Sequence, residues 1–242
     1  MFRAQAKGRA LQFDTVGVMG GNEVFKDRQT GSRWQQSSLE AIAGPLKGQH
    51  LELFPFLLTN WGEWHRAHPD TLVLKPQPGY ADRLAAKNAE IAAGLSGKGA
   101  APAGVLRNDN RLPPKAMVLG LEVDGISKAF PLTALRSARV ANEQFGAKPV
   151  VIVHQPGSDT TTAFSARLKG QTLRFEAADA QVSAVIDSAT HSRWDPYGLC
   201  VSGKLRGSQL DTLILEPEYW FAWSEFHPKT SIFAAPAGAG SR

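Results

Sequence analysis

Two stretches set chemically capable residues at matching spacing. DRQTGSRWQQ (27–36) carries Asp27, Thr30, Ser32, Arg33 and Trp34, and DSATHSRWDP (187–196) repeats them as Asp187, Thr190, Ser192, Arg193 and Trp194, 160 positions later. One chemistry open to this phrase is a polar pocket in which Arg33 or Arg193 grips an anionic group through its planar guanidinium. The other is structural. Asp and Thr cap a turn through side-chain-to-backbone hydrogen bonds, and the strand that follows sends Ser and Trp one way and Arg the other.

A second constellation is Trp61, Trp64 and His68, matched by Trp220, Trp223 and His227. The spacing i, i+3, i+7 puts all three on one face of a helix. His68 and His227 invite a catalytic or metal role, but a His beneath two Trp residues just before a helix-ending Pro is more often a packing residue. His65 adds an i, i+3 pair with His68, yet Ser224 holds that column in the second stretch, so the pair reads as incidental. The candidate catalytic residues are therefore Asp27, Arg33, His68, Asp187, Arg193 and His227. No nucleophile elbow, phosphate loop or zinc-protease helix is present, and no cofactor or metal site is expected. The nearest phosphate-loop likeness, GKGAAPAG, follows no strand.

The 242 residues suffice for one large domain or two modest ones, with 43% hydrophobic and 20% charged residues. The net charge of +5 comes from Lys and Arg spread along the chain, without the basic run of a nucleic-acid or membrane-surface binder. No nucleic-acid partner is expected. The single Cys200 rules out an intrachain disulfide and lies in apolar GLCVSG, where a buried inert thiol is expected. No apolar run reaches the length of a membrane span, and the first residues have no signal-peptide core, so the chain reads as cytoplasmic as written.

The elements that would position these residues come twice. With the offset falling to 159, Gly44, Leu46, Gly48 and Leu51 match Gly203, Leu205, Gly207 and Leu210, and Trp61, Trp64, His68, Pro69 and Thr71 match Trp220, Trp223, His227, Pro228 and Thr230. All six tryptophans fall on three repeat columns. Upstream, GRALQF (8–13) matches GQTLRF (170–175), which sets Phe2 opposite Phe164 and Met1 opposite Ala163, inside the expected strand TTTAFSARL. The first copy thus begins mid-unit, which fits a shortened gene, an internal start or a fragment. The second has about fifty further residues ahead of that point.

Short strands broken by Gly, Pro and Asp/Asn dominate each copy. VLGLEVDGISKAFPL predicts a hairpin about Asp124-Gly125, LKGQTLRFEA another, KPVVIVHQ a buried strand, and GPLKGQHLELFPF further strand material. One helix per copy is expected, TNWGEWHRAHP capped by Thr59 or Asn60, and EPEYWFAWSEFHP with Pro217 in its opening turn. The expected fold class is α+β, β-rich, as two tandem related units of short strands with one short helix each, packed on each other. The boundaries are 1–75 for a truncated first repeat, 76–111 for a linker with a short helix bearing Leu84, Ile91 and Leu95 on one side, 112–233 for a complete second repeat, and 234–242 for a disordered tail.

The run FKDRQTGSRWQQSSLEAIAGPLKGQHLELFPFLLTNWGEWHRAHPDTLVL resembles the core signature of a bacterial and archaeal domain-of-unknown-function family, number 3179. LPPKAMVLGLEVDGISKAFPL is similar to that family's opening segment, with Phe130 where Tyr is usual. The resemblance spans about 25–75 and 112–233. It implies no activity, and it implies that relatives are often exported or membrane-attached. It also implies a Cys-Pro-Leu-Cys segment where this chain has HQPGSD, so Gln155 and Ser158 stand at the two cysteine positions and can neither cycle as thiols nor ligate as thiolates. The polar phrase survives where the cysteines do not, which favours its structural reading. The expectation is a non-catalytic or degenerate module that binds a ligand or partner. The alternative is an enzyme of unknown reaction with a polar site around the two phrases.

Overall fold

The computed structural model describes residues 1–75, 77, 79–95 and 99–236, and of 90–95 the backbone alone. Among the described residues it is β-rich with four helices: α1 Trp61–Ala67, α2 Ala81–Leu95, α3 Leu132–Ala138 and α4 Trp220–Phe226. Among the described residues no helix is long and apolar enough to cross a membrane. The expected placement of Ile91 and Leu95, part of the 96–104 linker and residues 237–242 of the tail lie outside the described residues.

The chain forms two compact units. One holds Met1–Phe54, Asp82–Val118 and Pro217–Thr230, and the other holds Pro55–Ala81, Leu119–Glu216 and Ser231–Arg242. These units do not follow the sequence boundaries at 75 and 112. The segment carrying α1 belongs to the unit built on the later strands, and the segment carrying α4 to the unit built on the earlier ones.

In the first unit, strands Phe13–Met19, Asn22–Asp27, Arg33–Gln35 and Ala41–Ala43 form an antiparallel meander. Leu11, Trp34, Leu39, Ala41, Leu46 and Leu51 make the core beneath it, flanked by Phe2, Phe13 and Phe25. Past Ala43 the chain runs through turns, with only the bridges Glu40–His50 and Phe2–Leu53, so GPLKGQHLELFPF is mostly not strand. The physical reason lies in Gly44 and Gly48, whose φ of 93° and 81° bend the chain away from an extended path.

The second unit repeats that meander with Phe175–Ala177, Val185–Asp187, Arg193–Trp194 and Cys200–Ser202. The ladder shifts register at Arg33/Trp34 in one sheet and at Arg193/Trp194 in the other. This unit also has a sheet in the order Thr212–Leu213, Thr160–Ser165, Lys148–Gln155, Val140–Phe145. Along Lys148–Gln155, Val150 and Ile152 enter one apolar cluster while Val151 and Val153 enter another. Burial on both faces is why KPVVIVHQ reads as an unbroken apolar run.

Strands Met117–Val123 and Ile126–Pro131 form the hairpin expected at Asp124-Gly125, where both residues have positive φ, 52° and 74°. The small hairpin in LKGQTLRFEA joins Arg167–Leu168 to Gln171–Thr172. Two helix expectations need correction. Pro217 lies in the strand Glu216–Tyr219, and α4 starts only at Trp220, after Tyr219 at an extended φ of −75° and ψ of 149°. Residues 112–233 also carry α3, beyond the one helix expected there. LTALRSA is too short to show more than two turns of period, and its burial rests on Leu135 alone.

Candidate functional site

The two polar phrases fold into the same closed network. The Asp27 carboxylate accepts from the Thr30 backbone N–H at 2.5 Å, from Thr30 Oγ1 at 2.8 Å and from Trp34 Nε1 at 2.9 Å. Asp187 accepts from the Thr190 N–H at 2.6 Å, Thr190 Oγ1 at 2.9 Å and Trp194 Nε1 at 3.0 Å. In each phrase the Thr and Ser hydroxyls lie 2.8 or 2.7 Å apart, and the Ser Oγ accepts from Leu46 N or Leu205 N. Asp27, Ser32, Trp34, Asp187, Ser192 and Trp194 are all fully buried. Burial would raise the Asp27 and Asp187 carboxyls, but the bonds from Trp, Thr and Ser outweigh it and hold both below the ordinary carboxylate range.

A glycine closes each network. A Cβ on Gly44 would sit 2.7 Å from Ser32 Cα, and one on Gly203 would sit 2.7 Å from Ser192 Cα, so no larger residue fits over the serine. The arginines point elsewhere. Arg33 and Arg193 are exposed, and Arg193 is 3.7 Å from Asp179. Neither histidine joins a phrase. His68 and His227 each cap their helix by bonding the carbonyl of Trp64 or Trp223 through the backbone N–H; His68 lies tilted by 38° against the Trp64 ring at 4.2 Å between centroids, and His227 stacks on Trp223 at 3.6 Å. The structure thus gathers each Asp with its own Thr, Ser and Trp, and leaves Arg and His apart from it.

A different polar cluster, which the sequence reading missed, lies in the second unit at the end of Lys148–Gln155. His154 is fully buried. Its Nδ1 is 2.9 Å from Thr161 Oγ1, and its Nε2 faces Asp159 at 3.6 Å, beyond hydrogen-bond reach. Asp159 is held by Arg136 of α3 through two bonds of 2.9 and 2.6 Å. Burial pushes the His154 pKa down against the pull of Asp159, which favours the uncharged ring. The Arg136 bonds keep Asp159 ionised. Among the described residues, the buried side-chain polar atoms without a partner are Arg139 Nε, His154 Nε2 and Gln155 Oε1, all at this end of the strand. The Arg139 carbonyl accepts from the His154 N–H at 2.7 Å. The signal in the sequence was His154 itself, a titratable residue closing a run of buried valines.

Gln155 and Ser158 flank the turn beside that cluster, and Ser158 Oγ accepts from the Thr160 N–H at 3.3 Å. Thr59 and Asn60 hold the turn from the other side, Thr59 Oγ1 accepting from Thr160 Oγ1 at 2.8 Å and Asn60 donating to the Gly157 carbonyl at 3.3 Å. Alongside runs a groove of about 290 Å³ lined by Pro55–Leu57, Thr161–Phe164, Tyr197 and Leu213. That volume is at the small end of small-molecule sites. Cys200 is buried, donates weakly to the Ser202 carbonyl at 3.4 Å, and has its pKa raised by burial. Such a thiol is unreactive.

A family of proteins of unknown function, DUF3179, matches residues 1–230. The chain belongs to the DUF3179 family. No curated protein and no solved structure matches it. Membership in DUF3179 brings no assigned reaction, so the chemistry must be argued from the side chains above.

Proposed function

We propose that this DUF3179 protein is built of two tandem copies of one unit and acts as a non-catalytic module that binds a ligand or partner. The observation that supports this most is the closure of both polar phrases. Each Asp carboxylate is buried and spends its acceptor capacity on Trp, Thr and backbone donors, leaving nothing to abstract a proton or attack a substrate. Gln155 and Ser158, where the family resemblance implies thiols, supply no redox or metal chemistry. The same phrase in the same geometry twice is what duplication of a folding staple produces.

The test is an assay of purified protein for hydrolysis, phosphoryl transfer and thiol oxidation. No turnover above background is expected. Turnover abolished by Arg33→Ala or Arg193→Ala with an unchanged melting temperature would overturn the reading and restore the enzyme with a polar site around the phrases. A second reading, a small polar ligand at the end of Lys148–Gln155, is favoured by the three buried unpartnered atoms there. Its check is whether His154→Phe abolishes saturable binding in a metabolite thermal-shift screen.

A further inference from the structure

In the first unit the run 109–116, which passes through two turns, lies over the Trp220 end of α4. Trp220 Nε1 donates to the Asp109 carbonyl at 2.9 Å, and the Arg111 guanidinium sits 5.1 Å from the centre of the Trp220 ring. The backbone N–H groups of Trp220 and Phe221 donate to the carbonyls of Ala116 and Pro114 at 2.8 and 2.9 Å. Trp220 and Trp223 are 0% exposed. In the second unit, Ser231–Ile232 pairs parallel with Lys128 and Ala129 of the hairpin, and Phe233 N–H donates to the Ala129 carbonyl at 2.8 Å. Phe233 is 7% exposed.

The first copy presents the same columns bare. Trp61 and Trp64 of α1 are 52% and 40% exposed, and Leu72 and Leu74, the counterparts of Ser231 and Phe233, are 95% and 94% exposed. Among the described residues the Trp61 indole donates no hydrogen bond, and no strand pairs with 72–74. The face is nonetheless preformed. Trp64 Nε1 donates to Thr71 Oγ1 at 3.0 Å and His68 lies tilted against the Trp64 ring, while Trp223 donates to Thr230 at 2.9 Å beneath the stacked His227.

We propose that Trp61, Trp64 and Leu72–Leu74 form a docking surface for a segment of another protein with the chemistry of residues 109–131. Such a segment has an Asp-x-Arg-Leu-Pro-Pro run followed by a β-hairpin. Its Asp carbonyl takes the Trp61 Nε1–H, and its Arg stacks on the Trp61 ring. Its two prolines fix φ before binding, which lowers the ordering cost. The second strand of the hairpin that follows the prolines pairs in parallel with Leu72–Leu74, as Lys128 and Ala129 pair with Ser231 and Ile232. Large exposed apolar side chains grouped along one stretch are the mark of such a surface. The inference rests on the tandem-copy part of the proposed function, because the occupant is read from the second copy.

The probe is a synthetic peptide of residues 107–131, which contains no Trp and therefore leaves the fluorescence signal to the chain. Titrated into the full chain, it is expected to give a saturable blue shift and a calorimetric isotherm. Trp61→Ala or Leu74→Lys in the chain, or Arg111→Ala in the peptide, should each weaken binding about tenfold or more. Both chain positions are exposed, so an unchanged melting temperature shows that the fold is intact. No saturable binding up to about 1 mM, or equal binding by Trp61→Ala, overturns the inference. A concentration-dependent dimer abolished by Trp61→Ala overturns it too, because the occupant is then a second copy. Turnover in the assays above would sink the proposed function whichever way the peptide behaves.

Discussion

The helices α1 and α4 carry the same pattern of Trp, Trp and His, end at the same Pro, and clamp the second Trp to the same Thr. In α4 both rings are buried, whereas in α1 no residue is buried. Local sequence therefore sets the helix, its cap and the Trp–Thr bond, and it does not set burial. Burial needs a cover supplied from elsewhere, which α4 receives from residues 109–116 and α1 does not. A hydrophobic column becomes core or surface according to what is laid over it, and the energetic weight of identical residues diverges accordingly.

The largest expected effect follows from that divergence. Trp223→Ala should cost about 3–5 kcal/mol, the usual range for deleting a buried aromatic, and Trp64→Ala less than about 1 kcal/mol. Urea denaturation of the two variants checks this. Equal losses would mean that α1 is covered in solution and would erase the contrast.

The two polar phrases do not diverge as the helices do, and they sharpen the comparison from the other side. Asp27→Ala and Asp187→Ala should each cost about 2–4 kcal/mol, because each strands a buried indole N–H and a backbone N–H. The sign with pH follows from the depressed carboxyls. A folded-state pKa below the unfolded value contributes stability that is present above the unfolded value of about 4 and is lost as pH falls through the folded pKa. Stability should therefore fall steeply below about pH 4, less so in either variant, as acid titration of the melting temperature would show. A large difference between the two Asp variants would break the equivalence of the staples.

The phrases also show what was legible in the sequence. Asp, Thr, Ser and Trp at fixed spacing encode a turn and strand whose partners lie within eight residues, so the staple could be read from local order. Gly44 and Gly203 could not, because their need arises from the approach of Ser32 and Ser192 across the sheet. The hairpin at Asp124-Gly125 and the caps of α1 were legible for the same local reason. The cluster around His154 was not, because Arg136, Asp159 and Thr161 reach it only once α3 and two strands have packed. The membership of α1 and α4 in their units was equally hidden, since nothing in WGEWHRA or WFAWSEF names the strands it joins.

A smaller effect is expected four residues ahead of the helices, where Leu57 before α1 is matched by Glu216 before α4. Burial, helped by the charge of Glu122, raises the Glu216 pKa to about 7. A folded pKa above the unfolded value of about 4.3 means that stability is full below the unfolded value and is lost as pH rises through 7. Glu216→Gln should therefore stabilise by about 1–2 kcal/mol at pH 8, after allowance for partial solvent screening, and the gain should vanish by about pH 5. Chemical denaturation at the two pH values checks this, and a gain that persists at pH 5 would assign the effect to packing.

The smallest difference lies inside the staples themselves. Gly31 and His191 occupy the same turn position with φ of 73° and 56°, and each donates its backbone N–H to the preceding Asp carbonyl, at 2.9 and 3.0 Å. Glycine holds that conformation freely, while a residue with a Cβ pays about 1–2 kcal/mol there, partly offset by the greater freedom that glycine loses on folding. A Cβ on Gly31 would meet nothing closer than Lys26 Cε at 3.6 Å, so φ and not space separates the two turns. His191→Gly should then stabilise by a few tenths to about 1 kcal/mol, and Gly31→His should destabilise by a similar amount. Loss of stability in His191→Gly would show that the imidazole contributes a contact that offsets its backbone strain, and the two turns would then differ in chemistry as well as in conformational freedom.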